Sequence, residues 1–203
     1  MDQFLQHLVN GTVLGATYAL LGIGLTLIFG IMKVVNFAHG ELYAFGAYVA
    51  YALVSLLQMD YFVALILAAG LGLLLGASIE FLLLRRCRLE NIDEVMLIMI
   101  GVMIIMQNAE LLAWGGVAKV VPTPFPQESI IIGGIYLSPT RLFVLGAAIV
   151  LLLAFYLVIE RSRLGLAMRA TFQDEDAARI VGVNVGRIYT LTFGLGSSLA
   201  AIT

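Results

Sequence analysis

The chain has 203 residues, of which 62% are hydrophobic and only 12% are charged. Its mean hydropathy is +1.04. So few charges exclude an ordinary soluble domain with a polar surface, and they predict an all-α polytopic membrane protein in contact with lipid. The net charge of −2 provides no basic surface, so nucleic acid is not an expected partner.

Six apolar runs follow one another along the chain and predict about six transmembrane segments, because about 20 apolar residues cross a hydrocarbon core about 30 Å thick. The runs cover residues 8–30, 42–57, 62–84, 95–114, 142–159 and 188–203. No basic residue precedes the first run, which favours a retained helix over a cleaved signal peptide. The last run stops at Thr203 without a cap or a charged flank, so we expect a truncated form or a fragment.

The arginines predict the orientation, since short basic loops stay in the cytoplasm. One cytoplasmic loop carries Arg85, Arg86 and Arg88, and a second one, residues 160–187, carries five arginines. The N-terminus and residues 115–140 are then external. All four prolines lie in 115–140. There Gly133-Gly134, between Ser129-Ile130-Ile131-Ile132 and Ile135-Tyr136-Leu137, predicts a small hairpin, serving as a lid or as a docking surface for an external partner.

Polar and ionisable residues interrupt the apolar sequence near residues 30–41. We expect a discontinuous element inside the bundle, since broken membrane helices expose backbone only where it lines a cavity or is covered by protein. Charges at membrane depth are costly unless paired or hydrated, so Lys33 would also face the pathway or another charge. The candidate pathway residues are Asn36, His39 and Glu41. The alternative is an interfacial turn with snorkelling side chains.

The cytoplasmic loop 160–187 predicts two short helices. Leu164, Met168 and Phe172 recur every four residues, which predicts one face of a helix lying outside the core. In the second helix Asp174 can cap the N-terminus and Gly182 can end it in a left-handed conformation. This polar helix is either an interfacial element of no special purpose or a lever that docks into a cytoplasmic motor.

Several classes of site have no support in the sequence. One cysteine permits no intrachain disulfide, and two separated histidines give no metal site. Neither lysine follows a phosphate-binding glycine loop and no nucleophile motif occurs, so an enzyme is not expected and ATP hydrolysis would need another subunit.

Glu80 and Glu110, rare charges near helix ends, are assigned no site. The small residues Gly11 and Gly15, Gly72 and Gly76, and 194–198 are interpreted as helix contacts.

Several longer stretches together resemble the permeases of branched-chain amino acid ABC importers. The membrane stretches are Asn10-Gly11, Tyr18-Ala19-Leu20, Gly24-Leu25-Thr26-Leu27-Ile28-Phe29-Gly30, Val34-Val35-Asn36-Phe37-Ala38-His39-Gly40-Glu41 and Gly46-Ala47-Tyr48. The cytoplasmic stretches are Gly165-Leu166-Ala167-Met168-Arg169-Ala170, Asp174, Ala177-Ala178-Arg179 and Gly182-Val183-Asn184. The likeness covers essentially the whole chain as one permease domain, 1–203, although members of the family continue for further helices.

The resemblance implies partners and coupling residues. It implies a second related permease, two ATPase subunits that hold ATP and Mg, an extracytoplasmic solute-binding protein and a place in the bacterial cytoplasmic membrane. Asp176-Ala177-Ala178 with Gly182 is similar to the E-A-A-x-x-x-G coupling signature of importers, with aspartate in place of glutamate. The implied coupling residues are Asp174, Asp176, Ala177, Ala178 and Gly182.

The expected function is therefore that of a permease subunit, for branched-chain amino acids or related solutes such as urea or short amides. One alternative is an ion-coupled carrier or channel in which Lys33, His39, Glu41 and Glu110 form a relay. Another is a noncatalytic membrane scaffold whose long loop recruits a soluble protein.

Overall fold

The computed structural model describes residues 2–87, 92–126, 128–132 and 135–203, and nearly all of the ordered elements are helical. The long helices are α1 (Asp2–Met32), α2 (His39–Tyr51), α3 (Tyr61–Leu82), α4 (Ile92–Trp114) and α5 (Pro139–Arg161). The shorter elements are strands β1 (Ile130–Ile132) and β2 (Ile135–Leu137) and helices α6 (Arg163–Gln173), α7 (Glu175–Ile180) and α8 (Val185–Ile202). A π-helical turn, Ala52–Leu56, extends α2, and a 3-10 turn, Leu84–Arg86, follows α3.

Among the described residues, four helices are long and apolar enough to cross a membrane. They are Gln3–Met32, Tyr61–Arg86, Asp93–Trp114 and Pro139–Arg161. The other two predicted segments form α2 with its π-helical extension and α8. The all-α polytopic architecture is confirmed, whereas the count of six spans stays a prediction.

Helix α8 lies at the centre of the bundle and packs against α1, α2 and α3. Its residues Thr192, Phe193 and Ser197 are fully buried. Small residues bring the neighbouring backbones close: a Cβ atom added at Gly24 would lie only 2.8 Å from the carbonyl oxygen of Gly196. The interpretation of residues 194–198 as helix contacts is therefore confirmed.

One end of the bundle carries the N-terminus, the hairpin and a group of aromatic rings. The side chain of Gln6 donates to the carbonyl oxygen of Tyr136 at 3.0 Å and accepts from its N–H at 2.7 Å. The rings of Tyr61, Phe62, Phe125 and Phe143 pack together at this end. The segments that the sequence predicts to be external, the N-terminus and residues 115–140, therefore lie at the same end of the bundle.

The opposite end carries most of the arginines. Arg85 lies beside Gly186 at the start of α8, and Arg169 pairs with Glu160 at 3.2 Å. Of the arginines in the described part of the chain, only Arg141 lies at the external end, where it binds Asn10. The separation of charge between the two ends supports the predicted orientation, with this end in the cytoplasm. Arg88 lies outside the described residues.

The external segment contains the predicted hairpin. Strands β1 and β2 pair antiparallel, with Ile131 opposite Tyr136. Its turn, Gly133-Gly134, lies outside the described residues. Because Gln6 holds the backbone of Tyr136, the hairpin is tied to the first helix of the bundle.

Helix α6 differs from its prediction because one face belongs to the core. Met168 is 1% exposed and joins the main hydrophobic cluster, whereas Phe172 is 59% exposed. A Cβ atom at Gly165 would overlap the backbone of Ile159, so α6 folds back tightly on the end of α5. The buried face of α6 is Gly165, Met168 and Thr171.

Candidate translocation pathway and coupling surface

The predicted discontinuous element is present between α1 and α2. Helix α1 ends at Met32, Lys33 adopts φ 56°, and residues 34–38 are not helical before α2 begins at His39. The imidazole Nε2 of His39 donates to the carbonyl oxygen of Leu21 at 3.1 Å. Leu21 lies about three turns, or roughly 16 Å, before the end of α1. The chain therefore folds back along α1, and α2 starts about three turns before the end of that helix.

Asn36 and His39 are buried where α1, α2 and α8 converge. Asn36 is 3% exposed and His39 is 7% exposed. Neither atom of the Asn36 amide, nor Nδ1 of His39, has a hydrogen-bond partner among the described residues. A Cβ atom at Gly24 would lie 3.2 Å from Cε1 of His39, which places the ring against the α1–α8 contact. Buried polar atoms are nearly always bonded, so this site has unused hydrogen-bonding capacity at membrane depth.

Glu41 faces a different space from Asn36 and His39. It lines a cavity of about 580 Å³ between α2, α4 and residues 115–118. Tyr48, Gln107, Asn108 and Glu110 line the same cavity. The three candidate pathway residues therefore share one segment of chain, but only Glu41 contacts the cavity near the external end.

Glu110 belongs to this cavity although the sequence analysis assigned it no site. It is 7% exposed, and its Oε1 has no hydrogen-bond partner in the described part of the chain. The sequence contained one sign of this cavity, because three polar residues lie close together in an apolar run: Gln107, Asn108 and Glu110. The sequence could not predict the cavity itself, because the cavity depends on how α2 packs against α4.

The cytoplasmic segment 174–182 has the predicted caps. Oδ1 of Asp174 accepts from the N–H of Ala177 at 2.9 Å, and Gly182 has φ 93°. Ala178 is 3% exposed and packs towards the body of the protein, while Asp176 and Ala177 are exposed. Of the residues implied for coupling, only Ala178 is buried against the rest of the protein. The other four are exposed: Asp174, Asp176, Ala177 and Gly182.

Glu175 ties this segment to α8. One carboxylate oxygen pairs with Arg179 at 2.5 Å, and the other accepts from the hydroxyl of Tyr189 at 2.8 Å. Because Tyr189 lies on α8, this hydrogen bond connects α7 to the central helix. No sequence pattern predicted the pair, since the contact joins two separate helices.

Two exposed apolar residues form the tip of the segment. Ile180 is 86% exposed and Val181 is 77% exposed, at the end of a helix that is otherwise polar. They lie at the arginine-rich end, outside the lipid-facing helices. Apolar side chains held in water on a rigid loop are typical of a surface that contacts another protein.

Glu80 lies inside the protein and does not snorkel to the interface. It is 1% exposed, and Oγ1 of Thr190 donates to its Oε2 at 2.5 Å. Glu80 thus links α3 to α8. A second link lies about two turns further along α8, where the hydroxyl of Ser198 donates to the carbonyl oxygen of Ala69 at 2.9 Å.

Comparison with known proteins decides the class of this membrane protein. The family described as branched-chain amino acid transport system / permease component matches residues 7–203. The chain belongs to this family. It is accordingly a permease subunit of an ABC importer, one component of a transport system, and a multi-pass protein of the bacterial inner membrane.

Three named relatives cover almost the whole chain. The permease is 35% identical over 211 residues to the high-affinity branched-chain amino acid transport system permease protein BraD of Pseudomonas aeruginosa, covering 98% of this chain and 69% of BraD. It is 34% identical to LivH of Salmonella typhimurium, covering 98% of this chain and 68% of LivH. It is 33% identical to LivH of Escherichia coli with the same coverage. No solved structure gives a significant match.

Proposed function

We propose that this permease subunit pairs with a second related permease to form the pathway of an importer for branched-chain amino acids or related small solutes. Two separate ATPase subunits, holding ATP and Mg, would drive it, and an extracytoplasmic binding protein would deliver the solute. The observation that carries the proposal is the rigid, exposed segment 174–182, anchored to the central helix by the Glu175–Tyr189 hydrogen bond.

The segment suits docking to an ATPase because one side is anchored and the other is accessible. Ala178 and Glu175 hold α7 against the bundle, whereas Ile180 and Val181 project into the cytoplasm. Burying such a side chain contributes about 1.5–3 kcal/mol, so covering both would stabilise a complex substantially. Asp176 adds a charge that a basic groove on the ATPase can pair with.

Movement of the segment would reach the middle of the membrane through α8. Tyr189 lies near the cytoplasmic end of α8, and Gly196 lies about two turns further along, in contact with Gly24 beside His39. Closely packed helices move together, since their interface leaves no space for independent shifts. ATP-driven displacement of α7 would therefore alter the surroundings of Asn36 and His39, the proposed inner part of the pathway.

The docking surface can be tested with Ile180→Asp combined with Val181→Asp. Both side chains are exposed, so the fold should be preserved while contact with the ATPase is lost. The matched control is Val117→Asp with Val120→Asp, which are 72% and 81% exposed at the external end. In complexes purified from cells expressing all subunits, the ATPase should dissociate from the first variant only. Full retention of the ATPase by the first variant would refute the docking role.

The pathway role of Asn36 can be separated from a structural role with Asn36→Leu. An unpartnered buried amide destabilises the fold, so leucine should leave thermal stability unchanged or raise it. If Asn36 contacts the solute, ATP-driven uptake into proteoliposomes should fall despite this stability. Thr192→Val, which removes another buried, unpartnered oxygen from α8, is the control and should retain uptake. Normal uptake by Asn36→Leu would remove Asn36 from the pathway.

Of the four residues in the relay of the ion-coupled alternative, Glu41 and Glu110 line one cavity, whereas Lys33 lies apart from them. Lys33 lines a cytoplasmic cavity of about 510 Å³ with Asp174 and Asp176, whereas Glu110 lines the external cavity. Uptake driven by a proton or sodium gradient, without nucleotide, is the result that would favour the carrier. An absence of any solute flux would favour the scaffold.

A further inference from the structure

We propose that the external cavity between α2 and α4 binds the protonated amino group of the solute between the carboxylates of Glu41 and Glu110. The inference rests on the proposed transport function and deepens it. It predicts that the solutes of this permease carry a protonated amino group, which urea and neutral amides lack.

Both carboxylates face one space from two different helices. Glu41 lies in the first turn of α2, and Glu110 lies one turn before the end of α4. They line the same cavity of about 580 Å³, which reaches the external loop at residues 115–118. A solute arriving from outside would therefore meet both carboxylates before it met the buried Asn36 and His39.

Glu110 has an unused hydrogen-bonding atom that points to a ligand in the cavity. Its side chain is 7% exposed and lines the cavity, yet Oε1 has no hydrogen-bond partner among the described residues. A carboxyl oxygen removed from water requires a hydrogen-bond donor. The group that satisfies Oε1 would have to enter the cavity.

The charges of the cavity select a cation. Its lining, among the described residues, contains two carboxylates and no lysine, arginine or histidine. Two like charges that share a cavity repel each other, so a positive charge placed between them is attracted to both. Urea and neutral amides carry no charge and would leave this repulsion in place.

The remaining lining fits an α-amino group with an aliphatic side chain. An ammonium has three N–H donors, one more than the two carboxylates need. Asn108 donates its amide nitrogen to the carbonyl oxygen of Ile104 at 2.7 Å, which leaves its amide oxygen to accept. Ala44, Leu111 and Val117 supply apolar surface beside these acceptors. An ammonium group attached to a small aliphatic side chain matches both parts.

The test measures binding to the purified transporter, because uptake also depends on the selectivity of the binding protein. The probes are L-leucine, isopentylamine, which keeps the amino group alone, 4-methylpentanoate, which keeps the carboxylate alone, and urea. Binding is followed by the thermal shift of the complex reconstituted without the binding protein. L-leucine and isopentylamine should stabilise the wild type, and 4-methylpentanoate and urea should not.

The variants assign the effect to the cavity. Glu110→Gln and Glu41→Gln should each weaken binding of L-leucine and isopentylamine by about tenfold or more, as expected for a lost charge-assisted contact. Glu128→Gln, the same change of charge in the exposed external segment, should have no effect. Glu41 is only partly buried, so Glu41→Gln keeps the test decisive if Glu110→Gln fails to fold.

Two outcomes overturn the inference and one overturns its premise. Unchanged L-leucine affinity in both glutamine variants, or equal binding of 4-methylpentanoate and isopentylamine, refutes the amino-group site while the importer stands. A wild-type complex that shows no ATP-driven uptake of any amino acid and retains no ATPase refutes the proposed function itself.

Discussion

Substitution of Gly24 by alanine tests the close contact between α1 and α8 beside His39. A Cβ atom at Gly24 would lie 2.8 Å from the carbonyl oxygen of Gly196 and 3.2 Å from Cε1 of His39, whereas ordinary contacts are 3.4–4 Å. The oxygen belongs to backbone and cannot rotate away, so α1 and α8 would have to separate by about 0.5 Å or more. Overpacking of this kind costs about 1–3 kcal/mol.

Thermal unfolding of the purified permease in detergent measures this cost. For a chain of this size, the expected loss corresponds to roughly 2–12 °C in melting temperature. Gly22→Ala is the matched control in the same helix, because no described atom lies within 4 Å of the position where its Cβ would be. Alanine there should stabilise the helix by about 0.5–1 kcal/mol.

The same pair of variants also tests function. The new methyl group would press on the ring of His39 and disturb the start of α2, so Gly24→Ala should reduce ATP-driven uptake more than its loss of stability explains. If Gly24→Ala is as stable and as active as Gly22→Ala, then α1 and α8 do not pack as described, and transmission through α8 has no physical basis.

Three further predictions concern the cytoplasmic end. Lys33→Gly should raise stability by about 1 kcal/mol, because Lys33 has φ 56° and glycine adopts that conformation without the cost of a side chain; a lower melting temperature would mean that its charge contributes more. Gly182→Ala should lower stability by about 1 kcal/mol through its φ of 93° alone, and faster proteolysis between α7 and α8 would report this; an unchanged rate would contradict it. Tyr189→Phe removes the hydrogen bond to Glu175 and should leave the ATPase bound while less uptake occurs per ATP hydrolysed; an unchanged ratio would show that coupling takes another route.

Local chemistry was sufficient to predict the cytoplasmic segment. A capping aspartate at 174 and a terminating glycine at 182 act within a few residues, so the sequence contains everything that defines α7. The break before α2 was predictable for a similar reason, because polar residues without loop-forming sequence stand out between two apolar runs. The sequence did not predict how far the chain folds back, which depends on the contact of His39 with Leu21.

Spacing alone could not show which helix faces are covered. Gly11 and Gly15 have the same spacing as Gly72 and Gly76, and all four were interpreted as helix contacts. In the structure only Gly72 and Gly76 meet another helix, at α8, while no described atom lies near the positions where Cβ atoms of Gly11 and Gly15 would be. A repeat identifies a face of a helix, and tertiary packing decides what that face contacts.

The central position of α8 explains why composition did not mark it as the helix that connects the parts. A helix surrounded by protein in a membrane needs small and hydrogen-bonding residues for close packing more than it needs hydrophobicity. Its Thr190 bonds to Glu80 on α3, its Tyr189 bonds to Glu175 on α7, and its Gly196 touches Gly24 on α1. The four most apolar helices, in contrast, leave most of their surface outside the protein core. Because α8 packs against α1, α2 and α3, the proposed coupling route runs from α7 through α8 to the start of α2.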